Sequence, residues 1–462
     1  MGKLFGTDGV RGIVNKDLTK ELAYKIGASV ARVLKKELNK DKLTFLIGSD
    51  TRESKDMLSA AVKEGVASEG CEIVDVGVLP TPGISFLTED KNFDGSFIVS
   101  ASHNPSEYNG IKVLDNKGCK LSEILEEACE EIILKDFRPS DNHVRGEIKT
   151  DSSMEEDYVK HLASTIDNDI SGIRILVDTA NGAAYDTANK LFTMLGANFD
   201  IINNTPDGIN INRNAGSTHI EGLKNKVVEG KYDIGIAYDG DADRCILVDE
   251  LGNEIDGDYI IAITGNELKK EGKLTNNTLV GTIMSNLGFI IFCRENDINF
   301  IPTKVGDKYV LDEMMKHNYI IGGEQSGHII FKELANTGDG ELTSLQILSI
   351  MAKNNKKLSE LASIMKKYPQ VLVNVNTTKE GKELYEKCED IQEKKKYYEE
   401  ELGSNGRIVL RPSGTENLIR VMLEGDDMEQ ITRICNELAD YISKRINGTG
   451  NQNVNTLKKT IE

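Results

Sequence analysis

At 462 residues the chain has room for about three domains of ordinary size. Apolar side chains make up 39% of it and 42 residues are glycine, which supports a sizeable core and excludes wholesale disorder. Its 56 basic and 75 acidic residues leave a net charge of −19. That disfavours a general nucleic-acid binder, whose affinity rests on Lys and Arg neutralising phosphates, but it permits a small anionic ligand held by local basic residues.

From the N-terminus, Met1-Gly2-Lys3 runs into Leu4 and Phe5 without the apolar stretch of a signal peptide, and no apolar run approaches the ~18 residues of a membrane span. Leu18, Leu22, Ile26, Val30, Val33 and Leu34 repeat at helical spacing, predicting a helix within residues 18–40. Leu43–Ile47 reads as a strand ending at Gly48-Ser49-Asp50-Thr51-Arg52. Three times, a strand and polar loop is followed some tens of residues later by a second: from Leu43 and Gly95, from Ile173 and Asp233, and from Thr278 and Tyr319. Such alternation predicts βα units with mostly parallel sheet, and the threefold pattern is a weak internal repeat.

The remainder differs. A strand is expected at Val371–Val375, one charged helix at Glu380–Leu402, a hairpin of Arg407–Leu410 with Leu418–Leu423, and a final helix at Met428–Ile446. The expected domains are 1–150, 151–252, 253–366 and a smaller α+β domain at 367–446, with a loose tail at 447–462. Seven scattered cysteines contain no CxxC pair, so neither structural zinc nor a disulfide framework is expected; reduced thiols in the cytoplasm are.

Four loops carry chemistry. Ser100-Ala101-Ser102-His103-Asn104-Pro105 ends the apolar run Phe97-Ile98-Val99. Open α/β sheets present ligands at such a place, so Ser102 is a candidate nucleophile or phosphate carrier, against a plain Asn-Pro turn with a capping Ser. Asn109-Gly110-Ile111-Lys112 follows with a turn and a cation. Asp239-Gly240-Asp241-Ala242-Asp243-Arg244 sets three carboxylates at alternate positions after a strand, which suits a hard divalent cation, against a polar hairpin turn. It is not an EF-hand, because Arg244 stands where that turn demands Gly and Cys245–Val248 reads as a strand. Gly322-Gly323-Glu324-Gln325-Ser326-Gly327-His328 offers donors and acceptors for sugar hydroxyls, and His328 can exchange protons. Arg411-Pro412-Ser413-Gly414-Thr415-Glu416-Asn417-Leu418-Ile419-Arg420 combines guanidiniums, hydroxyls and a Gly turn, as a phosphate clamp requires. Connecting loops and a solvated hairpin tip remain the plainer readings of the last two.

In order along nearly the whole chain, SASHNP, DGDADR, GGEQSGH and RPSGTENLIR resemble the phosphoserine, metal, sugar and phosphate loops of the α-D-phosphohexomutases. The resemblance implies three similar α/β domains with mixed, mostly parallel sheets plus a smaller C-terminal α+β domain around a central cleft. Phe5-Gly6-Thr7-Asp8-Gly9-Val10-Arg11-Gly12, Val78–Pro82 and Gln325 are similar to the amino-sugar branch of that family rather than its mannose/glucose branch. Asn417 departs from that branch, where Pro is common, and Ala242 stands where Gly is frequent.

The resemblance further implies an isomerase interconverting glucosamine 6-phosphate and glucosamine 1-phosphate, a step toward UDP-N-acetylglucosamine. It would proceed through phosphorylated Ser102, with a hexose 1,6-bisphosphate as intermediate or activator. One Mg²⁺ is implied on Asp239, Asp241, Asp243 and a Ser102 phosphate oxygen. Arg11, Lys112 and Arg244 would stabilise transferring charge, Lys112 or His328 would act as acid/base, and His103 would position the loop. Glu324 and Ser326 would hold sugar hydroxyls, and Arg411, Ser413, Gly414, Thr415 and Arg420 the non-reacting phosphate. The expected partner is a small phosphosugar, with no nucleic acid or membrane, and the expected assembly a monomer or homodimer. Alternatives are phosphomannomutase/phosphoglucomutase activity on the same scaffold, a metal-assisted sugar-phosphate phosphatase, and a non-catalytic sugar-phosphate-binding protein.

Overall fold

The structure is a computed structural model that describes residues 4–6, 8–135, 137–139, 144–413 and 417–447, with the backbone of the strand Val454–Asn455. The chain forms two compact units, residues 1–282 with 301–364 and residues 283–300 with 365–462.

In the first unit, β1 (Val10–Ile13), β2 (Thr44–Ser49), β3 (Glu72–Val78), β4 (Gly95–Val99), β5 (Tyr108–Leu114) and β6 (Ile148–Thr150) make a sheet ordered β1-β5-β4-β2-β3-β6. β4, β2, β3 and β6 run parallel, β5 runs antiparallel to β4, and β1 is antiparallel to β5 in turn, so β5 alone is reversed. The connecting helices are α1 (Lys20–Leu38), α2 (Lys55–Ser68), α3 (Thr81–Asp90) and α4 (Glu123–Lys135). The Thr19 hydroxyl starts α1 by accepting the Leu22 N–H at 3.2 Å, and the predicted stripe of Ile26, Val30, Val33 and Leu34 is buried.

A second sheet, ordered β11-β10-β9-β7-β8, is built from β7 (Arg174–Asp178), β8 (Asn198–Ile202), β9 (Ile234–Tyr238), β10 (Cys245–Asp249) and β11 (Glu254–Ile255). It carries α5 (Glu155–Ala163), α6 (Ala184–Met194) and α7 (Glu221–Gly230). After α8 (Gly257–Lys270), a third sheet takes β12 (Thr278–Thr282), β13 (Asn299–Thr303), β14 (Ile321–Gly323) and β15 (Ile329–Phe331) in the order β13-β12-β14-β15. Its chain segment also holds α9 (Leu287–Glu295), α10 (Asp307–His317), α11 (Gly340–Asn354) and α12 (Leu358–Ala362).

The internal repeat is real. The paired strands are parallel neighbours each time, β2 with β4, β7 with β9 and β12 with β14, and Ile175 lies opposite Ile234. Each second strand then turns back into an antiparallel one. The serine loop joins β4 to β5, the Asp loop β9 to β10, and the Glu324–His328 loop β14 to β15. All three are thus equivalent loops at the carboxyl ends of parallel strands, where such sheets bind ligands.

The second unit packs an antiparallel sheet, β16 (Gln370–Asn376), β17 (Gly406–Pro412), β18 (Leu418–Gly425) and β19 (Val454–Asn455), ordered β17-β18-β16-β19. Its later helices are α13 (Lys379–Lys387), α14 (Glu389–Leu402) and α15 (Met428–Asn447). The single charged helix expected at 380–402 is broken at Cys388, which is extended (φ −86°, ψ 93°). Tyr385 and Ile391 both enter the core, yet six residues of unbroken helix would turn them about 120° apart. The break re-aims the second segment. Apart from Val454–Asn455, paired with β16, the tail after 447 lies outside the described residues. Among the described residues, no helix is long and apolar enough to cross a membrane.

Candidate active site

Ser102 is held at the end of β4 in the left-handed region (φ 51°), and its Oγ donates to Asp239 Oδ2 at 2.5 Å. The same Oγ lies 3.2 Å from His103 Nδ1. The Asp loop backs onto this serine so closely that a Cβ on Gly240 would meet the Ser102 carbonyl oxygen at 2.5 Å, which explains the glycine between two of the acids.

Asp239, Asp241 and Asp243 are buried, with one oxygen from each lying within 4.8 Å of the others. Asp241 Oδ2 accepts from Thr81 Oγ1 at 2.7 Å and Lys112 Nζ at 2.8 Å, and Asp243 Oδ2 accepts from Lys112 at 3.2 Å. Beneath the loop, α11 begins where Gly340 N–H donates to the Ala242 carbonyl at 2.9 Å. A Cβ on Gly340 would meet the Arg244 carbonyl oxygen at 2.5 Å.

The charges are uneven. Burial, then the charges of Asp243 and Asp241, push the Asp239 carboxyl well above the usual range. Burial opposes charge on Asp243 too, but Lys112, His328 and Arg244 hold its carboxyl well below that range. Asp241 Oδ1 and Asp243 Oδ1 are buried and accept no hydrogen bond. Three crowded carboxylates with spare buried oxygens fit a divalent cation, which would relieve both the repulsion and the missing contacts.

Lys112 is 2% exposed and lies 3.1 Å from Asp8 as well as against the two aspartates. Burial disfavours its charge, but Asp241, Asp8 and Asp243 raise its proton affinity well above the ordinary lysine value. Asp8 also pairs with Arg11, and Lys120 bridges Asp8 Oδ1 and Asp307 Oδ2 at 2.6 Å each. Burial, then Arg244 and Arg11, push His103 down to about 4, so its ring is neutral near pH 7.

His328 is buried with Nδ1 3.8 Å from Asp243, and its Nε2 accepts the Gly338 N–H at 3.0 Å. That bond leaves the ring proton on Nδ1, facing the carboxylate. Glu324 Oε1 accepts the Gly306 N–H at 3.0 Å, Gln325 donates to Asp256 at 3.2 Å, and Ser326 is exposed at the loop tip.

The first unit therefore gathers Arg11, Ser102, His103, Lys112, the three aspartates, Arg244, Glu324 and His328. In the second unit, Arg411 and Arg420 lie opposite one another across β17 and β18, and the Ser413 carbonyl accepts from Lys382 at 2.6 Å. Gly414 and Thr415 lie outside the described residues. The motifs did not single out Asp8, Thr81, Lys120 or Asp307; Asp8 lay within the opening segment and Thr81 within Val78–Pro82, and the other two carried no local signal.

The chain matches, in order, Phosphoglucomutase/phosphomannomutase alpha/beta/alpha domain I over residues 2–140, domain II over 156–252 and domain III over 256–368. The C-terminal domain of the same name matches 372–441. The chain belongs to the phosphoglucomutase/phosphomannomutase family. Among its relatives in that family, Phosphoglucosamine mutase of Clostridium acetobutylicum is 51% identical over 451 residues, covering 97% of this chain and 100% of the relative. Phosphoglucosamine mutase of Acetivibrio thermocellus is 50% identical over 450 residues, covering 96% and 100%. A phosphoglucomutase/phosphomannomutase family protein from Burkholderia thailandensis superposes with a TM-score of 0.81 at 20% identity, covering 98% of each chain. N-acetylphosphoglucosamine mutase of Aspergillus fumigatus, solved with GlcNAc-6P and magnesium, gives 0.66 at 17% identity, covering 96% of each. Likeness at such identities speaks for the shared family fold.

Proposed function

We propose that this family member is an isomerase interconverting glucosamine 6-phosphate and glucosamine 1-phosphate, with Ser102 as phosphoryl carrier. The observation that carries the reading is the 2.5 Å contact between Ser102 Oγ and Asp239 within the buried trio of aspartates. The activity that names its half-identical, full-length relatives supports the choice of sugar.

Asp239, Asp241 and Asp243 would hold Mg²⁺. Bound there, the ion would neutralise the carboxylates and draw charge from the serine phosphate, making its phosphorus open to attack. In the first transfer the Ser102 Oγ–P bond breaks as a bond forms from phosphorus to the sugar O1. Lys112 gives a proton to the departing Oγ and recovers one from the attacking hydroxyl. Arg11 and Arg244 oppose the charge that develops on the moving group. The 1,6-bisphosphate then returns its 6-phosphoryl group to Ser102 by the reverse chemistry. His328, whose Nε2 accepts the Gly338 N–H and whose Nδ1 faces Asp243, supports that carboxylate rather than exchanging protons with the sugar, and neutral His103 packs beside Oγ.

Glu324 and Ser326 read sugar hydroxyls, and in the second unit Arg411, Ser413 and Arg420, with Gly414 and Thr415, offer the donors that a phosphate group takes. Seven free thiols suit a reducing compartment, and we place the enzyme in the cytoplasm.

The test is a coupled assay with glucosamine 6-phosphate, Mg²⁺ and a trace of hexose 1,6-bisphosphate, run beside glucose and mannose 6-phosphates. Glucosamine 1-phosphate should form with the highest kcat/KM, and Ser102→Ala should lose nearly all turnover. Preference for another sugar would overturn the substrate. Inorganic phosphate released at the rate of sugar consumption would overturn the mutase reading, and undiminished turnover in Ser102→Ala would overturn the role of the serine.

A further inference from the structure

Arg52 is 0% exposed, and among the described residues its guanidinium bonds three backbone carbonyls of the serine loop and the Asp50 carboxylate. One terminal nitrogen donates to the carbonyls of Ser102 at 3.0 Å and Asn104 at 2.8 Å, and the other to that of Pro105 at 2.5 Å. Its Nε donates to Asp50 Oδ2 at 2.9 Å. The same Asp50 oxygen accepts from Ser100 Oγ at 2.6 Å, and Ser100 Oγ in turn accepts the Ser102 N–H at 2.9 Å. From the second domain, Asn212 Nδ2 donates to the Ser102 carbonyl at 2.8 Å and to that of Asn104 at 3.1 Å.

The peptide groups on both sides of the Ser102 Cα are therefore pinned: the N–H through Ser100 and Asp50, the carbonyl through Arg52 and Asn212. A serine pays a conformational cost in the left-handed region and would leave it if those bonds were removed. A planar guanidinium with a fixed fork of donors can grip three carbonyls and a carboxylate at once, which a lysine ammonium on a flexible stem cannot do from that position.

We infer that Arg52, with Asp50, Ser100 and Asn212, is a positioning clamp that holds Ser102 left-handed and aims its Oγ at Asp239, setting the rate of phosphoryl transfer rather than the affinity for sugar. The inference rests on Ser102 as the phosphoryl carrier. It adds that the carrier's aim is made by residues that touch neither phosphate nor sugar.

The test compares Arg52→Lys, Asn212→Ala and Ser100→Ala with the unaltered protein. The last two leave no buried charge unpaired, so they remain informative if Arg52→Lys fails to fold. Two measurements are made: steady-state kinetics with glucosamine 6-phosphate, and the rate at which Ser102 takes up phosphate from glucose 1,6-bisphosphate, followed by intact mass. A misplacement of about 1 Å at the reacting atom should lower both kcat and the uptake rate about 10- to 100-fold, with KM within about threefold. Unchanged kcat and uptake in the folded variants, or a rise in KM that accounts for the whole loss, would overturn the clamp. If the unaltered protein takes up phosphate but makes no glucosamine 1-phosphate, the sugar assignment fails while the uptake rates still judge the clamp. If it takes up none, the carrier role and the clamp fall together.

Discussion

Asp8 shows how much of this site depends on pairings that no local pattern announces. It lies three residues before Arg11, but its other partners are Lys112 and Lys120, more than a hundred positions away. Burial opposes its charge, and Lys112, Lys120 and Arg11 together overcome that, holding its carboxyl well below the ordinary range. The three aspartates of the Asp loop could be read from the sequence because they stand at alternate positions just after a strand. Ser102 was legible because an apolar strand ends just before it. Asp8, Arg52 and Asn212 were not, since each acts through long-range contacts. Replacing Asp8 by Asn removes the anion shared by Arg11 and Lys112, the two cations that the proposed mechanism sets beside the transferred group. Such charge-assisted bonds are worth about 1.5–3 kcal/mol, so kcat should fall about 10- to 100-fold in steady-state assays. Retention of kcat would show that Arg11 and Lys112 are held by other means.

Among the elements, α11 links the core to the Asp loop. Asp339 caps it, accepting the Leu342 N–H at 2.9 Å and the Tyr158 hydroxyl at 2.9 Å, and the next residue, Gly340, supports Ala242. Burial pushes the Asp339 carboxyl up to about 7. The folded protein thus keeps a proton there that the unfolded chain releases near the ordinary carboxylate pKa. The stability this contributes is present at low pH and is lost as pH rises toward 7. Asp339→Asn keeps the shape and removes the titration. Relative to that variant, the unaltered protein should lose up to about 1.4 kcal/mol of stability per pH unit across that window, measured by thermal unfolding at several pH values. Parallel profiles would show that Asp339 is ionised throughout. At this scale the strand repeat was legible because parallel βα units advertise themselves by alternation. The break at Cys388 was hidden, because charge pattern and helix propensity run on through it and only the core positions of Tyr385 and Ile391 require it.

For the molecule as a whole, an acidic chain of net charge −19 gathers cations at the places proposed to bind phosphate: Arg11, Lys112, Lys120 and Arg244 in one unit, Arg411 and Arg420 in the other. Because Lys112 already bonds two of the three carboxylates, stripping divalent metal should silence turnover without unfolding the protein. Activity should vanish in chelator and return with Mg²⁺, while the melting temperature changes by only a few degrees, about what 1 kcal/mol shifts a domain of this size. Unfolding in chelator would show that the ion is structural. The left-handed backbone at Ser102 extends the point from charge to conformational strain. The side chain proposed to carry the phosphoryl group sits where glycine rests most easily, so part of the molecule's resilience is given up at that position. Two inactive proteins should expose the size of that concession: Ser102→Gly and Ser102→Ala both lose the hydroxyl, but the glycine form should outlast the alanine form on heating, by about 1 kcal/mol.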